Sequence, residues 1–359
     1  MKKLLTTTAI VAALSAPAIA QTTVTGNLDI AYKAFSNDLA ASKTKSGRGF
    51  GKEAQINISN KGKLNIAGWE YAAGFSLEDD GNQTTATFDE NTYIDFINGN
   101  TLITIGNDHI QNSDQSTATF VGLIAEDLAN GSGTDIFLSD VGANPKESFG
   151  VGIVQTIPGF GSVSALYVPT NANGSGAGVN SSVARLRTAG GDDSFTETDG
   201  ESAYEIGFQG DLGVKGLKVI AFTNKEKATA GNKVVQSNLT DDIKGTNLGA
   251  SYNMGQLTVG YGYKKHERAF ESAINGKEIK QDEFGIAYAI SPALTVAANY
   301  TKADGNGTTL SGEAKMKSIA VGYNLGPVAI SAQAAQLENY TGTPGDDADV
   351  LYLRASTKF

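Results

Sequence analysis

The segment 248-LGASYNMGQLTVGYGY-263 decides the fold of this chain. From Leu257 to Tyr263 every odd position is apolar and every even position is Thr or Gly. That period of two puts apolar side chains on one face of a β-strand and small or polar side chains on the other. Gly255-Gln256 lies between two such runs, as a tight hairpin turn does. The segment therefore predicts two antiparallel strands that share an apolar face.

The same alternation of strands and turns continues along the chain. Compact turn signals recur at residues 61–63, 98–100, 158–161, 213–216, 255–256, 291–292 and 326–327. Longer polar segments alternate with them, near residues 36–50, 79–89, 109–147, 171–200, 226–242, 267–279, 303–313 and 339–348. Seven short turns and eight long loops join sixteen strands, with both chain ends on the side of the short turns.

The polar face of these strands distinguishes a membrane barrel from a soluble sandwich. It is dominated by Gly, Ala, Ser, Thr, Asn and Gln, whereas a soluble sheet shows many Lys and Glu residues on its solvent face. An even strand number, with short connections on one side and long ones on the other, is typical of bacterial outer-membrane barrels. We predict an all-β fold, a closed 16-stranded antiparallel transmembrane β-barrel with short periplasmic turns and long extracellular loops.

Three details of this prediction have alternatives. Residues 183–189 have the composition of an extra strand, which would raise the count to eighteen. The apolar phase changes near Gly68, where we expect a bulge. Tyrosines recur at strand ends and fit the aromatic girdles of a membrane barrel, although the general preference of tyrosine for strands also explains them. They are Tyr32, Tyr71, Tyr167, Tyr252, Tyr263, Tyr288, Tyr300 and Tyr323.

The N-terminus has the layout of a secretory signal peptide. A positive pair, Lys2-Lys3, precedes an apolar stretch from Leu4 to Leu14 and small residues that end at Ala20. An apolar stretch of roughly 11 residues is too short to cross about 30 Å of hydrocarbon. We therefore expect residues 1–20 to be a cleaved signal peptide and residues 21–359 to be the barrel.

Composition excludes several classes of partner and site. The chain has 38 acidic and 28 basic residues and a net charge of −10, which disfavours nucleic acid as a partner. It has no cysteine, so neither a disulfide framework nor a thiolate metal site exists. We expect no cofactor and no bound metal; paired acids in the loops also fit calcium, but solvated loops explain them more simply.

The final strand and two other segments resemble a known family. The chain ends 349-DVLYLRASTKF-359, in which Leu351 and Leu353 alternate with Tyr352 and Arg354 before a terminal phenylalanine. Phe359 resembles the C-terminal assembly signal of outer-membrane barrels. Together with the opening strand 24-VTGNLDIAY-32 and the segment 103-ITIGND-108, these features make the chain resemble the Gram-negative general diffusion porins, most closely the alphaproteobacterial type.

The resemblance implies a water-filled channel in the bacterial outer membrane. It implies passive diffusion of ions and small hydrophilic solutes, three barrels in a homotrimer, contact with outer-membrane lipid and lipopolysaccharide, and a third loop that folds inward to narrow the pore. Here the third loop is residues 109–147, and loops this long are uncommon unless functional. The carboxylates that we expect at the constriction are Asp114, Glu126, Asp127, Asp135 and Asp140.

The family also places basic residues on the wall opposite the third loop. Strand parity favours Lys33 and Arg354 for this role, with Arg48 and Lys358 as further candidates. Opposed charges would produce a transverse field across the pore, although the same charges also serve simply to solvate the lumen and the loops. Because the strands hold few arginines, we predict a weak preference for cations.

Two other functions remain open at this stage, and one class is disfavoured. A substrate-specific channel and a non-conducting structural or receptor barrel both fit the strand pattern. An enzyme is disfavoured, because the only histidines, His109 and His266, lie in no recognisable catalytic motif.

Overall fold

A computed structural model describes most of the predicted barrel. The described residues are 21–37, 47–79, 87–106, 149–169, 202–226, 242–267, 278–306, 311–340 and 342–359. The expected signal peptide, the segment 183–189 and the third loop lie outside them. Within the described ranges, no helix is both long enough and apolar enough to cross a membrane.

Sixteen antiparallel strands close into one barrel, as predicted, and the eighteen-strand alternative is not needed. Each strand pairs with its neighbours in sequence, and the first strand pairs with the last. The strands are β1 Gln21–Asn37, β2 Gly47–Lys63, β3 Glu70–Asp79, β4 Thr87–Asn98, β5 Thr101–Gly106, β6 Gly150–Ile157, β7 Gly161–Val168, β8 Ala203–Gly210, β9 Leu217–Glu226, β10 Ile243–Met254, β11 Leu257–Glu267, β12 Glu278–Ala289, β13 Leu294–Asn306, β14 Ser311–Leu325, β15 Val328–Glu338 and β16 Ala348–Lys358. Closure leaves no unpaired backbone edge to face lipid.

Six of the seven predicted short turns lie where the sequence places them, and the first is displaced. β2 continues to Lys63, and the turn closes through hydrogen bonds from Leu64 N to Trp69 O (3.0 Å) and from Trp69 N to Ile66 O (3.1 Å). Gly68, with φ 79°, belongs to this turn. The expected bulge at Gly68 is therefore wrong, because the phase change marks the passage from one strand to the next.

The two faces of the sheet differ in the way that the sequence predicts. Large exposed apolar side chains within the strands all share one face, including Ile30, Leu353 and Ile319, which is 67% exposed. The register pairs such residues with one another across neighbouring strands, for example Tyr261 with Phe284. This continuous apolar face is the outer, lipid-facing surface, and the opposite face lines the lumen.

The predicted tyrosines all lie on the outer face, and several of them lie near one end or the other of the barrel. Tyr252, Tyr288 and Tyr323 lie next to short turns, and Tyr288 donates a hydrogen bond to Gln256 at 3.0 Å. Tyr167 and Tyr263 lie toward the long-loop ends of their strands. Amphipathic rings in two bands are the arrangement expected at the two membrane interfaces.

The terminal phenylalanine completes the closure of the barrel. Gly26 and Phe359 exchange two backbone hydrogen bonds, of 2.8 and 2.9 Å. The ring of Phe359 lies directly over Gly26, where a Cβ atom would come within 2.5 Å of it. The same Cβ atom would lie 2.9 Å from the carbonyl oxygen of Gln55, so a larger residue in place of Gly26 would displace the ring of Phe359 or the neighbouring strand β2.

Candidate functional site

The candidate site is the inner wall of the barrel, which presents polar side chains to the lumen. On β2 and β3 these side chains form a hydrogen-bonded chain. Gln55 donates to Glu78 at 3.1 Å, Asn57 donates to Gln55 at 3.3 Å, and Ser76 donates to Asn57 at 2.6 Å. The alternation of each strand turns every one of these residues inward, so one wall of the lumen is fixed in position by mutual hydrogen bonds.

An ion pair joins the first and last strands on the same wall. Arg354 Nε donates to Asp29 Oδ1 at 3.0 Å, and Arg354 Nη2 lies 2.8 Å from Asp29 Oδ2. This two-point contact is the strong geometry for guanidinium and carboxylate. Asp29 is 9% exposed, whereas the side chain of Arg354 is 41% exposed. The carboxylate therefore neutralises much of the positive charge that the arginine presents to the lumen.

The other basic candidates for the wall differ in position. Lys33 lies on the inner face of β1, opposite Tyr352 and Gly49. Arg48 pairs with Ala34, one residue beyond Lys33, so the period of two turns its side chain to the outer face. The predicted place of Arg48 on the pore wall does not agree with this register. The face of Arg48 depends on the pairing of β2 with β1, which the local sequence does not specify.

The opposite arc of the wall carries a second polar group of residues. Lys264 Nζ lies 3.6 Å from Glu283 Oε1, and Gln281 donates to the same oxygen at 2.6 Å. Lys264 is 1% exposed and Glu205, on β8, is 2% exposed. These groups face the lumen by strand parity and are buried there, so their charges act on solutes through the surrounding polar network rather than by direct contact.

The balance of charge on the wall is acidic. We define the middle zone of the wall as the strand residues that lie more than three residues from any short turn or chain end. Among the inner-facing side chains that the structure describes, six carboxylates lie in this zone: Asp29, Glu53, Glu78, Asp95, Glu205 and Glu283. Three basic side chains share this zone, namely Lys33, Lys264 and Arg354. The short-turn end is basic instead, with Lys61, Lys63, Lys218 and Lys358 beside Glu70. Sequence reasoning missed the acids of the wall, although the strand alternation already assigns most of them to the inner face.

An apolar area lies on the inner face of β7 and β9. Leu166, Val168, Ile220 and Phe222 all have inward parity, and none is more than 6% exposed. Apolar side chains on a lumen wall are unusual unless other atoms cover them.

The five predicted constriction acids lie outside the described residues. In the part of the chain that the structure describes, no three acidic or histidine side chains are arranged to hold a metal ion.

The family of the chain follows from a match over most of its length. The sequence profile described as Gram-negative porin matches residues 6–342. The chain belongs to the Gram-negative porin family. No curated protein sequence is significantly similar to this porin. As in the family, its barrel is a diffusion channel of the outer membrane, so the acidic inner wall described above is the wall of the pore.

Solved porin structures share the fold of this porin at low sequence identity. An anion-selective porin from Comamonas acidovorans is 16% identical with a TM-score of 0.65, and the match covers 95% of this chain and 100% of that one. OmpF of Salmonella typhi, solved in complex with daunomycin, is 12% identical with a TM-score of 0.64, covering 95% and 98%. A triple mutant of the Rhodopseudomonas blastica porin is 14% identical with a TM-score of 0.59, covering 94% and 100%. At these identities the likeness concerns the fold, and the ion selectivity of this porin has to be argued from its own residues.

Proposed function

We propose that this porin is a general diffusion channel with a weak preference for cations. The observation that carries the proposal is the neutralisation of Arg354 by Asp29, within a wall where carboxylates outnumber basic side chains. Fixed negative charge along a water-filled path raises the local concentration of cations and lowers that of anions. The preference is weak because Lys33 shares the wall with the acids and the short-turn end is basic.

We further propose that the third loop, residues 109–147, narrows the pore. Asp114, Glu126, Asp127, Asp135 and Asp140 would then add carboxylates to the path of the solute. The buried apolar area on β7 and β9 supports this proposal, because the loop carries the apolar stretch 120–124, which suits packing against such an area. Lys33 and Arg354 would lie on the wall that faces the loop.

The partners that we propose follow from the family and from the outer surface. Three copies of the porin would form a homotrimer, and the apolar outer face would contact lipid and lipopolysaccharide. Solutes would pass without any chemical step, so no catalytic residue or cofactor is assigned. Calcium bound by paired acids in the loops stays an untested alternative to solvated loops.

Reversal potentials in planar bilayers test the proposed selectivity. Purified porin is inserted into a bilayer that separates 0.1 M from 1 M KCl. The Debye length is about 10 Å in the dilute solution and about 3 Å in the concentrated one. We expect a potential of the sign that indicates K⁺ crossing faster than Cl⁻. A potential of the opposite sign rejects the cation preference while leaving the channel intact.

The step size of single channels separates the alternatives for the channel itself. A diffusion porin gives large steps that sugars do not block. A substrate-specific channel gives steps that one solute blocks at low concentration, and a receptor barrel gives none. Heat-modifiable mobility on a gel shows beforehand that the barrel is folded.

A further inference from the structure

The connection between β15 and β16 turns back over the inner wall. We define the eighth loop as residues 339–347, all described except residue 341. Its Tyr340 is 1% exposed and packs in a cluster with Leu337 and Val350. The ring of Tyr340 meets that of Phe35 edge-on, with centroids 5.7 Å apart.

Every neighbour of Tyr340 in this cluster has inward parity. Leu337 and Val350 belong to the inner faces of β15 and β16, and Phe35 belongs to the inner face of β1. The partly buried Met316 and Tyr352 at the edge of the cluster also face inward. The aromatic ring therefore lies on the lumen side of the barrel, and the eighth loop bends inward at the long-loop end.

Hydrogen bonds hold the eighth loop in a tight, closed form. Asn339 adopts the left-handed conformation, with φ 52°, and its side-chain oxygen accepts a hydrogen bond from Gly345 N at 2.7 Å. Asn339 N donates to the carboxylate of Asp347 at 2.9 Å, and Tyr340 N donates to the carbonyl of Asp346 at 2.9 Å. Asp346 is 1% exposed. Such a loop keeps one shape, because its polar backbone groups are paired within it.

The loop also contacts the neighbouring strand β14. Asn339 Nδ2 donates to the carbonyl of Glu313 at 3.2 Å. Gly312 has φ 132°, and a Cβ atom there would lie 2.8 Å from the carbonyl oxygen of Gly342. The eighth loop is thus attached to β14 on one side and to β1 through Phe35 on the other, so it spans the inner side of four adjacent strands.

We infer that Tyr340 positions the eighth loop as a second narrowing of the pore at its extracellular mouth. The loop occupies cross-section on the side formed by β14, β15, β16 and β1. Its exposed tip, Thr343 to Gly345, borders the path that solutes take above Lys33 and Arg354. The residues that carry this inference, Tyr340 and the tip Thr343 to Gly345, are all described, and the inference does not depend on the third loop or on the sign of the selectivity.

Cysteine modification tests where the tip lies without disturbing the fold. The chain has no cysteine, so Thr343→Cys offers one reactive thiol. We expect a sulfonate-bearing thiol reagent to lower the single-channel conductance of this variant. The matched control is Ile319→Cys, on the outer face and 67% exposed, which is modified in detergent before insertion because lipid would shield its thiol; its conductance should not change. Unchanged conductance of modified Thr343→Cys would overturn the inference, whichever ion the channel prefers.

Substitution of the anchor tests the role of Tyr340. In Tyr340→Ala the loop loses its buried ring. We expect single-channel steps of irregular size and, in liposome swelling, entry of the smallest sugars that wild type excludes. Tyr340→Phe keeps the ring and should behave as wild type. Steps and sugar exclusion identical to wild type in folded Tyr340→Ala would overturn the anchoring role. If Tyr340→Ala shows no heat-modifiable barrel, the cysteine experiment decides.

Discussion

The ion pair between Asp29 and Arg354 gives the sharpest test of the proposed selectivity. Asp29→Asn removes one negative charge from the wall and keeps an oxygen that accepts the hydrogen bond from Arg354 Nε, now 3.0 Å long. Because the arginine remains and is 41% exposed, its charge then acts on solutes without compensation. We expect the variant to shift toward anions and to stay folded.

The size of the shift follows from the charge and the salt. A unit charge acts on a monovalent ion 4 Å away in water with about 1 kcal/mol, which corresponds to roughly a fivefold change in local ion concentration. Most ions cross a wide pore farther from the wall, so at 0.1 M salt, with a Debye length of about 10 Å, we expect a change of about twofold in the K⁺/Cl⁻ permeability ratio. At 1 M salt the Debye length is about 3 Å and the shift should nearly disappear.

Reversal potentials of a matched set of variants provide the assay. Arg354→Gln should shift the ratio toward cations, opposite to Asp29→Asn. It should also lower stability, because Asp29 is 9% exposed and loses its charged partner. Arg48→Gln changes a charge on the outer face and should leave the ratio unchanged. The reasoning is refuted if both inner-face variants keep the wild-type ratio at 0.1 M salt, or if Arg48→Gln shifts the ratio as much as they do.

Two further predictions concern the fold. Gly26→Val places a side chain where a Cβ atom lies 2.5 Å from the ring of Phe359, and overpacking of this kind costs about 1–3 kcal/mol. We expect the folded barrel band on a gel to be lost at a lower temperature. Gly49→Val, with no atom within 4 Å of the new Cβ, should match wild type, and equal effects of the two would contradict a specific clash at the seam. Ile286→Lys puts a charge on the lipid-facing surface two residues from Tyr288, and should cost folding stability in lipid, by less than the about 2–4 kcal/mol that such a charge costs at the bilayer midplane. Thr258→Lys, on the lumen face, should cost far less in urea-dependent folding into vesicles, and a smaller cost for Ile286→Lys than for Thr258→Lys would reverse the assignment of the two faces.

The sequence predicts the strand count, six of the seven short turns and the direction of most side chains. Each of these depends on local chemistry, namely a period of two and the turn preferences of glycine, proline and asparagine. The sequence pattern predicts the first turn too early, because Lys61-Gly62-Lys63 has the composition of a turn. The hydrogen bonds that close the turn instead involve Leu64 and Trp69. Within the candidate site, the sequence predicts Lys33, Arg354 and Arg48 on the pore wall; the register supports Lys33 and Arg354 and turns Arg48 to the outer face.

What the sequence by itself determined is the repeating hairpin and the two unlike faces of each strand, because neighbouring residues are enough to fix both. The tertiary structure alone decided which charges meet. Asp29 and Arg354 are 325 residues apart and come together only when the first strand pairs with the last. The seam also brings Tyr340 against Phe35, and the register between β1 and β2 sets the face of Arg48. Registers of this kind depend on closing the whole ring at one stagger, which no local segment encodes.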